Sequence, residues 1–468
     1  MRPHRCGARR VIAVVVLAIV ATPVWGAVYI GDPQTYRPMV ANLKPGDELR
    51  LRPGIYRDGL SVNGLVGTAE RRITIHAEDP ERRPIFWGRA GRNLISVRGS
   101  EFITIANLVL DGRNAFVSAV KQEGGAQCRP SRNVEIRGLF ISGFRAHQQQ
   151  VGISTKCMTV DWHIHHNTIL GAGTGIYLGN ANGDDAFIGG LIEHNLVLDS
   201  IGYNLQLKHQ FSQPPHPWIQ SAAKVTVIRH NVFSKQFGAS TEPGRVRPNV
   251  LVGAKPATGR GASDRVELYG NFFHHNPGEA LFQAEGDIAI HNNVFVNPWA
   301  SNFPAIAIQP HNGTPRSVRI FYNTVIANGV GLSVQGAPTY LMVRGNAIFA
   351  SLPFRNHYFA GNFVAAPDAA RAFLRRPFGP SDARDYRPRW VWRESDIAIP
   401  GALLSDLIGG AYDFDGLPRQ RSSFGAYARS NRGESWSPGR EFKVLRPRTR
   451  GERAAAPVAG DSSSNSNR

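Results

Sequence analysis

Apolar and polar residues alternate in short runs along the middle of the chain, and the runs recur in phase. One recurring phrase is an apolar residue, two variable residues, Asn, then further β-formers. It stands at Ile164–Asn167, Ile192–Asn195, Ile228–Asn231, Leu268–Asn271, Ile290–Asn293, Ile320–Asn323 and Val343–Asn346. Successive copies are separated by 22 to 40 residues, the length of one solenoid coil with variable loops. Two earlier turns, Ile103–Leu108 and Val134–Leu139, carry Leu where Asn later stands. A recurring Asn suits a sharp bend between strands because it tolerates the left-handed region, and stacked Asn side chains form a ladder. A second strand lies between successive Asn phrases. Its inward pairs read Ile153/Thr155, Ile176/Leu178, Leu205/Leu207, Val250/Val252, Ala280/Phe282, Ile306/Ile308 and Leu332/Val334. One coil cannot bury such a face alone, so stacking supplies the core.

Before the repeats, short strands are broken by Gly and Pro turns at Leu43–Asp47, Leu51–Tyr56 and Ile73–Ala77; these predict an N-terminal cap. Asp413–Arg419 and Phe424–Tyr427 read as a closing segment. Residues 1–26 read as an export signal, with Arg2, Arg5, Arg9 and Arg10 ahead of an apolar run from Val11 to Val20. That run is too short for a convincing membrane span, and the mature chain is expected to be periplasmic or secreted. Residues 27–428 form the expected solenoid domain. Residues 429–468, rich in Arg, Pro, Gly and Ser, are expected to be a disordered basic tail.

Charge points to the partner. Of the net +19, four belong to the signal and five to the tail, where nine basic residues face four acidic ones; the body keeps +10. An anionic partner fits that balance. Nucleic acid fits less well, because export and a solenoid groove point elsewhere. With Cys6 in the signal, Cys128 and Cys157 remain, near the start of consecutive repeats and able to pair in an oxidising compartment.

The opening Leu43–Asp47, Pro53–Tyr56 and Ile73–Ile75, the Asn-phased turns, and the closing Asp-x-Asp-Gly-x-x-Arg and Gly-Ala-Tyr together resemble the pectate-lyase-like superfamily across roughly residues 40–428. That resemblance implies an all-β, right-handed parallel β-helix whose ligand lies along an outward sheet face. It specifies fold more sharply than chemistry, since the superfamily holds lyases, hydrolases, epimerases and binding proteins. The Gly-His-Gly and Arg-x-Lys phrases of polygalacturonases and the Asp-Pro-His phrase of alginate epimerases are missing here.

On the expected outward strip lie Lys156, Tyr177, Gln206, Gln283 and Gln309 as substrate-binding candidates, with Trp218 and Trp299 as aromatic platforms for sugar rings. The same register aligns Lys255, Glu285 and His311 in one column, with Lys208 one rung earlier, as the catalytic set. Gly179 and Gly253 are expected to leave room for a ring. For a uronate polymer, β-elimination needs a cation to neutralise the carboxylate and a base to take the adjacent carbon-bound proton. A lyase on an acidic polysaccharide is the leading expectation; a non-catalytic glycan-binding protein is the alternative. Asp184 and Asp185, in Asn180–Asp185, are the conspicuous carboxylate pair and could hold Ca²⁺. His163, His165 and His166 invite a zinc reading, but strand alternation is expected to divide them between faces.

Overall fold

Every second side chain of each coil turns inward, and the coils stack through parallel pairing into a right-handed β-helix. The computed structural model describes residues 26–445 apart from 212, 220–221, 241, 243, 301, 391–398, 400, 420–422 and 429–435. The expected signal before Gly26 and the tail beyond Leu445 lie outside the described residues. Among the described residues no helix is long and apolar enough to cross a membrane.

Three walls run the length of the coil. The first is a twelve-stranded parallel sheet from Val28–Gly31 to Tyr340–Arg344, including Glu135–Arg137, His163–His165, Leu191–Glu193 and Val225–Arg229. After a turn, the second wall contains Thr168–Leu170, Leu196–Leu198, Val232–Ser234, Phe272–His274 and Val294–Asn297. The third contains Val120–Gln122, Val151–Thr155, Thr174–Leu178, Leu205–Leu207, Val250–Val252, Phe282–Ala284 and Pro304–Ile308. Inward residues such as Ile153, Ile164, Val197, Leu205, Ile228 and Phe273 belong to one continuous buried cluster. A short helix, Tyr36–Ala41, caps the N-terminal end, with Tyr36 and Val40 buried in that cluster.

The Asn ladder is present and one member longer than the sequence phrases indicate. Asn167, Asn195, Asn231, Asn271, Asn293, Asn323 and Asn346 each donate from Nδ2 to Oδ1 of the next, ending on Asn362, at 2.8–3.0 Å. The left-handed residue of each bend, however, is the one before the Asn. His166, His194, His230, Asn292 and Tyr322 have φ between 48° and 55°, with Gly270 and Gly345 at the equivalent places. The Asn therefore serves the turn through its side chain, while its predecessor bears the backbone conformation.

Register differs from the alternation-based reading at one coil. Val250 and Val252 pair with Phe282 and Ala284, not with Ala280 and Phe282. A slip of two residues preserves which side chains point inward, so alternation alone cannot detect it. The following coils keep the expected phase, with Phe282 and Ala284 paired to Ile306 and Ile308, and these to Leu332 and Val334.

The C-terminal region corrects two further expectations. Phe414, Ala426 and Tyr427 cover the outer side of the second wall rather than closing the end of the coil, packing with Leu196, Val232, Phe272, Val294 and Phe349. Residues 436–445, within the segment expected to be disordered, pack there too. Trp436 and Phe442 join the apolar cluster, and buried Lys443 donates to the carbonyl of Gly270 at 2.6 Å. Outward-facing apolar side chains such as Leu196 and Leu198 explain why this wall attracts a cover. The third wall keeps its polar outer face.

Candidate functional site

Two columns of outward side chains make the floor of the third wall. The first reads Lys121, Ser154, Tyr177, Gln206, Leu251, Gln283, Ala307 and Ser333. The second, followed by backbone bonds from rung to rung, reads Lys156, Gly179, Lys208, Gly253, Glu285, Gln309 and Gln335. Charged residues thus alternate with glycine through Lys156, Lys208 and Glu285. At about 4.8 Å per rung, Lys156 and Lys208 start roughly 10 Å apart, within reach of one sugar unit.

The floor opens into a cavity of about 450 Å³, lined among others by Phe116, Lys121, Ser154, Lys156, Tyr177 and Gln206. Gln148 and Gln149 form its rim and are shared with a neighbouring cavity of about 570 Å³. That second hollow is walled by Arg145, His147, Arg245 and Arg247. Gln148 Nε2 donates to the Arg245 carbonyl, tying together the two loops that make its sides. The two hollows form one predominantly basic groove beside the third wall.

Lys156 is the most perturbed cation on the floor. Its ammonium sits 3.2 Å above the centre of the Tyr177 ring. Burial, followed by repulsion from Lys121 and Lys208, lowers its pKa to about 7. Lys208 is also lowered by burial, but Glu285 acts in the opposite direction. Lys121 is paired with Glu123 at 3.3 Å. Burial raises Tyr177 to about 12, so its phenol keeps its proton at neutral pH. Ser154 Oγ is buried on the same floor and has no hydrogen-bond partner among the described residues.

A disulfide fixes the backbone next to Lys156: Cys128 and Cys157 are joined, with Cα atoms 5.2 Å apart. The glycines have separate reasons. Gly179 has φ +92°, where a side chain is strained. Gly253 lets two backbones approach, since a Cβ there would meet the His209 nitrogen at 2.2 Å; it is a packing glycine, not room for a ring.

The sequence-derived catalytic column does not assemble. Lys255 lies two residues beyond the strip and is buried, its pKa lowered by burial to about 8 against the pull of Asp264 and Asp287. Glu285 is on the strip but fully buried, accepting from the backbone of Asn312 at 2.8 Å and of Gly313 at 2.9 Å; it pins a loop. His311 is exposed on that loop, while Gln309 takes the column position. Lys208 alone of the four remains beside Lys156. Among the substrate-binding candidates, Lys156, Tyr177 and Gln206 meet in the cavity, whereas Gln283 and Gln309 lie further along the wall.

The two tryptophans part company. Trp218 packs against Met158, Val160, Ile188 and Ile219 with Arg132 over its ring at 4.9 Å, so its face is not a sugar platform. Trp299 is 46% exposed on the loop before Pro304–Ile308. Phe116, 62% exposed at the groove, is the aromatic that sequence reading missed; it stands in the short apolar run Ala115–Val117 after the Arg113–Asn114 turn. Arg145, Arg245 and Arg247 were also missed, because they sit in loops without repeat phasing.

Asp184 and Asp185 are engaged within their own turn. Asn182 donates to Asp184 at 2.6 Å and Asn180 to Asp185 at 2.7 Å, and burial raises Asp185. His163 and His165 both point outward from the first sheet with Ile164 between them inward, and His166 is divided from them at the bend.

A right-handed parallel β-helix with one apolar wall covered and one polar wall open as a basic groove is the class that fold and site define. Similar solved structures include the PL6 family alginate lyase AlyGC, at 13% identity and TM-score 0.49, covering 72% of this chain and 51% of that one. The match therefore spans about half of that protein's length. The A-module of the Azotobacter vinelandii mannuronan C-5 epimerase AlgE6 gives 17% identity and TM-score 0.41, covering 68% and 89%. The GH136 lacto-N-biosidase from Eubacterium ramulus gives 12% identity and TM-score 0.39, covering 72% and 67%. No protein-family model and no curated protein matches the sequence.

Proposed function

We propose that the chain is a polysaccharide lyase that cleaves a uronate-containing polymer by β-elimination in the groove of the third wall. The observation that carries this reading is Lys156: a lysine lowered to about 7, on the cavity floor, with Tyr177 beneath it and Lys208 two rungs away. Its free amine takes the carbon-bound proton beside the uronate carboxylate. Lys208, whose charge Glu285 supports, neutralises that carboxylate and stabilises the developing enolate. As the carbon–carbon double bond forms, the glycosidic carbon–oxygen bond breaks, and the Tyr177 hydroxyl gives its proton to the leaving oxygen. Arg145, Arg245 and Arg247 hold carboxylates of neighbouring sugars, and Phe116 offers a ring face.

The test is a panel of purified polyuronates incubated with the protein and followed by ultraviolet absorbance of unsaturated ends. Steady release from at least one polymer is expected. If no polymer yields such ends but one is retained by the protein, the groove binds without turning over and the elimination chemistry is wrong.

A further inference from the structure

On the outer face of the first sheet, away from the groove, three successive rungs bring together a second set of chemically active side chains. Glu135 pairs in register with His163, and His165 with Glu193. His163 Nε2 lies 2.8 Å from Glu193 Oε1, and His165 Nε2 lies 2.9 Å from Glu135 Oε1. The two imidazoles stack at 3.9 Å between centroids. One ligand atom from each of Glu135, His163 and His165 lies within 4.8 Å of the others.

The surroundings hold these groups as a metal site holds its ligands. Each carboxylate turns one oxygen to the histidines and has the other fixed from outside: Thr104 Oγ1 donates to Glu135 Oε2 at 2.7 Å, and Arg229 Nε to Glu193 Oε2 at 2.6 Å. His165 Nδ1 is 2.8 Å from His166 Nδ1. With the proton on His165 Nδ1 and donated to His166, the His165 Nε2 lone pair points at the cluster, the tautomer a metal requires. Arg137 Nε, 3.5 Å from Glu135 Oε1, is on a 39% exposed side chain with room to swing clear.

We propose that Glu135, His163 and His165 bind one divalent transition-metal ion of the Zn²⁺ kind, which clips two coils together, while Glu193 orients His163 from the next coil. Two imidazole nitrogens and one carboxylate oxygen, with a fourth position for water, match the donor preference of such an ion. Tetrahedral bonds of about 2.05 Å need ligand atoms roughly 3.4 Å apart, and the ligand atoms of Glu135, His163 and His165 already lie within 4.8 Å of one another. A ladder of surface ion pairs accounts for the His–Glu contacts, but not for both rings stacked on one side with His165 held through its second nitrogen.

The experiment uses the tag-free, chelator-treated full chain. Calorimetry with ZnCl₂ and visible absorption with CoCl₂ are expected to show one equivalent bound, Co²⁺ bands of low-symmetry coordination, and a thermal midpoint raised by the ion. His163→Ala and His165→Ala lower the affinity at least tenfold, while exposed His357→Ala leaves it unchanged. Glu193→Gln, checked by circular dichroism for an intact coil, weakens binding without removing either imidazole. Less than one equivalent in the wild type, or equal binding by a folded His163→Ala/His165→Ala double variant, overturns the proposal.

Discussion

Lys156 and Lys208 carry the same ammonium group in the same column, yet their neighbours divide the work between them. Lys121 and Lys208 repel charge on Lys156, whereas Glu285 supports charge on Lys208. Groups in one site whose environments push their proton affinities apart suit acid and base roles. Because the base must be unprotonated, kcat/KM is expected to rise with pH, bend near the value of about 7, and flatten above it. Glu285→Gln removes the support on Lys208 and is expected to raise KM more than it lowers kcat; pH–rate profiles of both enzymes check this. The composition of the strip was readable from alternation. The chemical inequality of the two lysines was not, since it arises from burial and from charged neighbours on other coils.

At the scale of the coil, the Asn ladder illustrates what repeat phasing reveals and conceals. Asn231 donates to Ile192 O, Arg229 O and Asn271 Oδ1, and accepts from Asn195. Asn231→Ala strands several buried partners, each costing on the order of 1–3 kcal/mol, so a loss of about 3 kcal/mol is expected in urea unfolding. Asn362, partly exposed at the ladder's end, is expected to lose less than half as much on the same change. Seven ladder members were read from their shared phrase; the eighth, Phe359–Asn362, carries the same phrase but follows Asn346 by only 16 residues, short of the spacing of the other copies. Alternation also located the inward faces correctly while leaving a two-residue ambiguity between coils. That ambiguity set Lys255 and His311 two residues past the column in which Gly253, Glu285 and Gln309 stand, because column membership depends on the absolute register that only the pairing fixes.

Across the whole molecule, function follows from which wall stays open. The C-terminal segment covers the apolar second wall, and residues 436–445 complete that cover with Arg440 paired to Asp199 and Lys443 buried beside His230. Composition alone concealed this, because a segment rich in Arg, Pro and Gly looks unstructured until an apolar wall offers Trp436 and Phe442 somewhere to pack. A chain ending before Trp436 is expected to lose about 3 kcal/mol, as the two aromatics give up their contacts, and to bind a dye that reports apolar surface. The third wall, polar and flanked by basic loops, is the face proposed for an anionic polymer. The most direct measurement is the initial rate of unsaturated-end formation by wild type and Lys156→Ala on the same polyuronate, at concentrations saturating for both. A rate at least a thousandfold lower in the folded variant, with retained polymer binding, is the predicted result; an unchanged rate would place the reaction elsewhere.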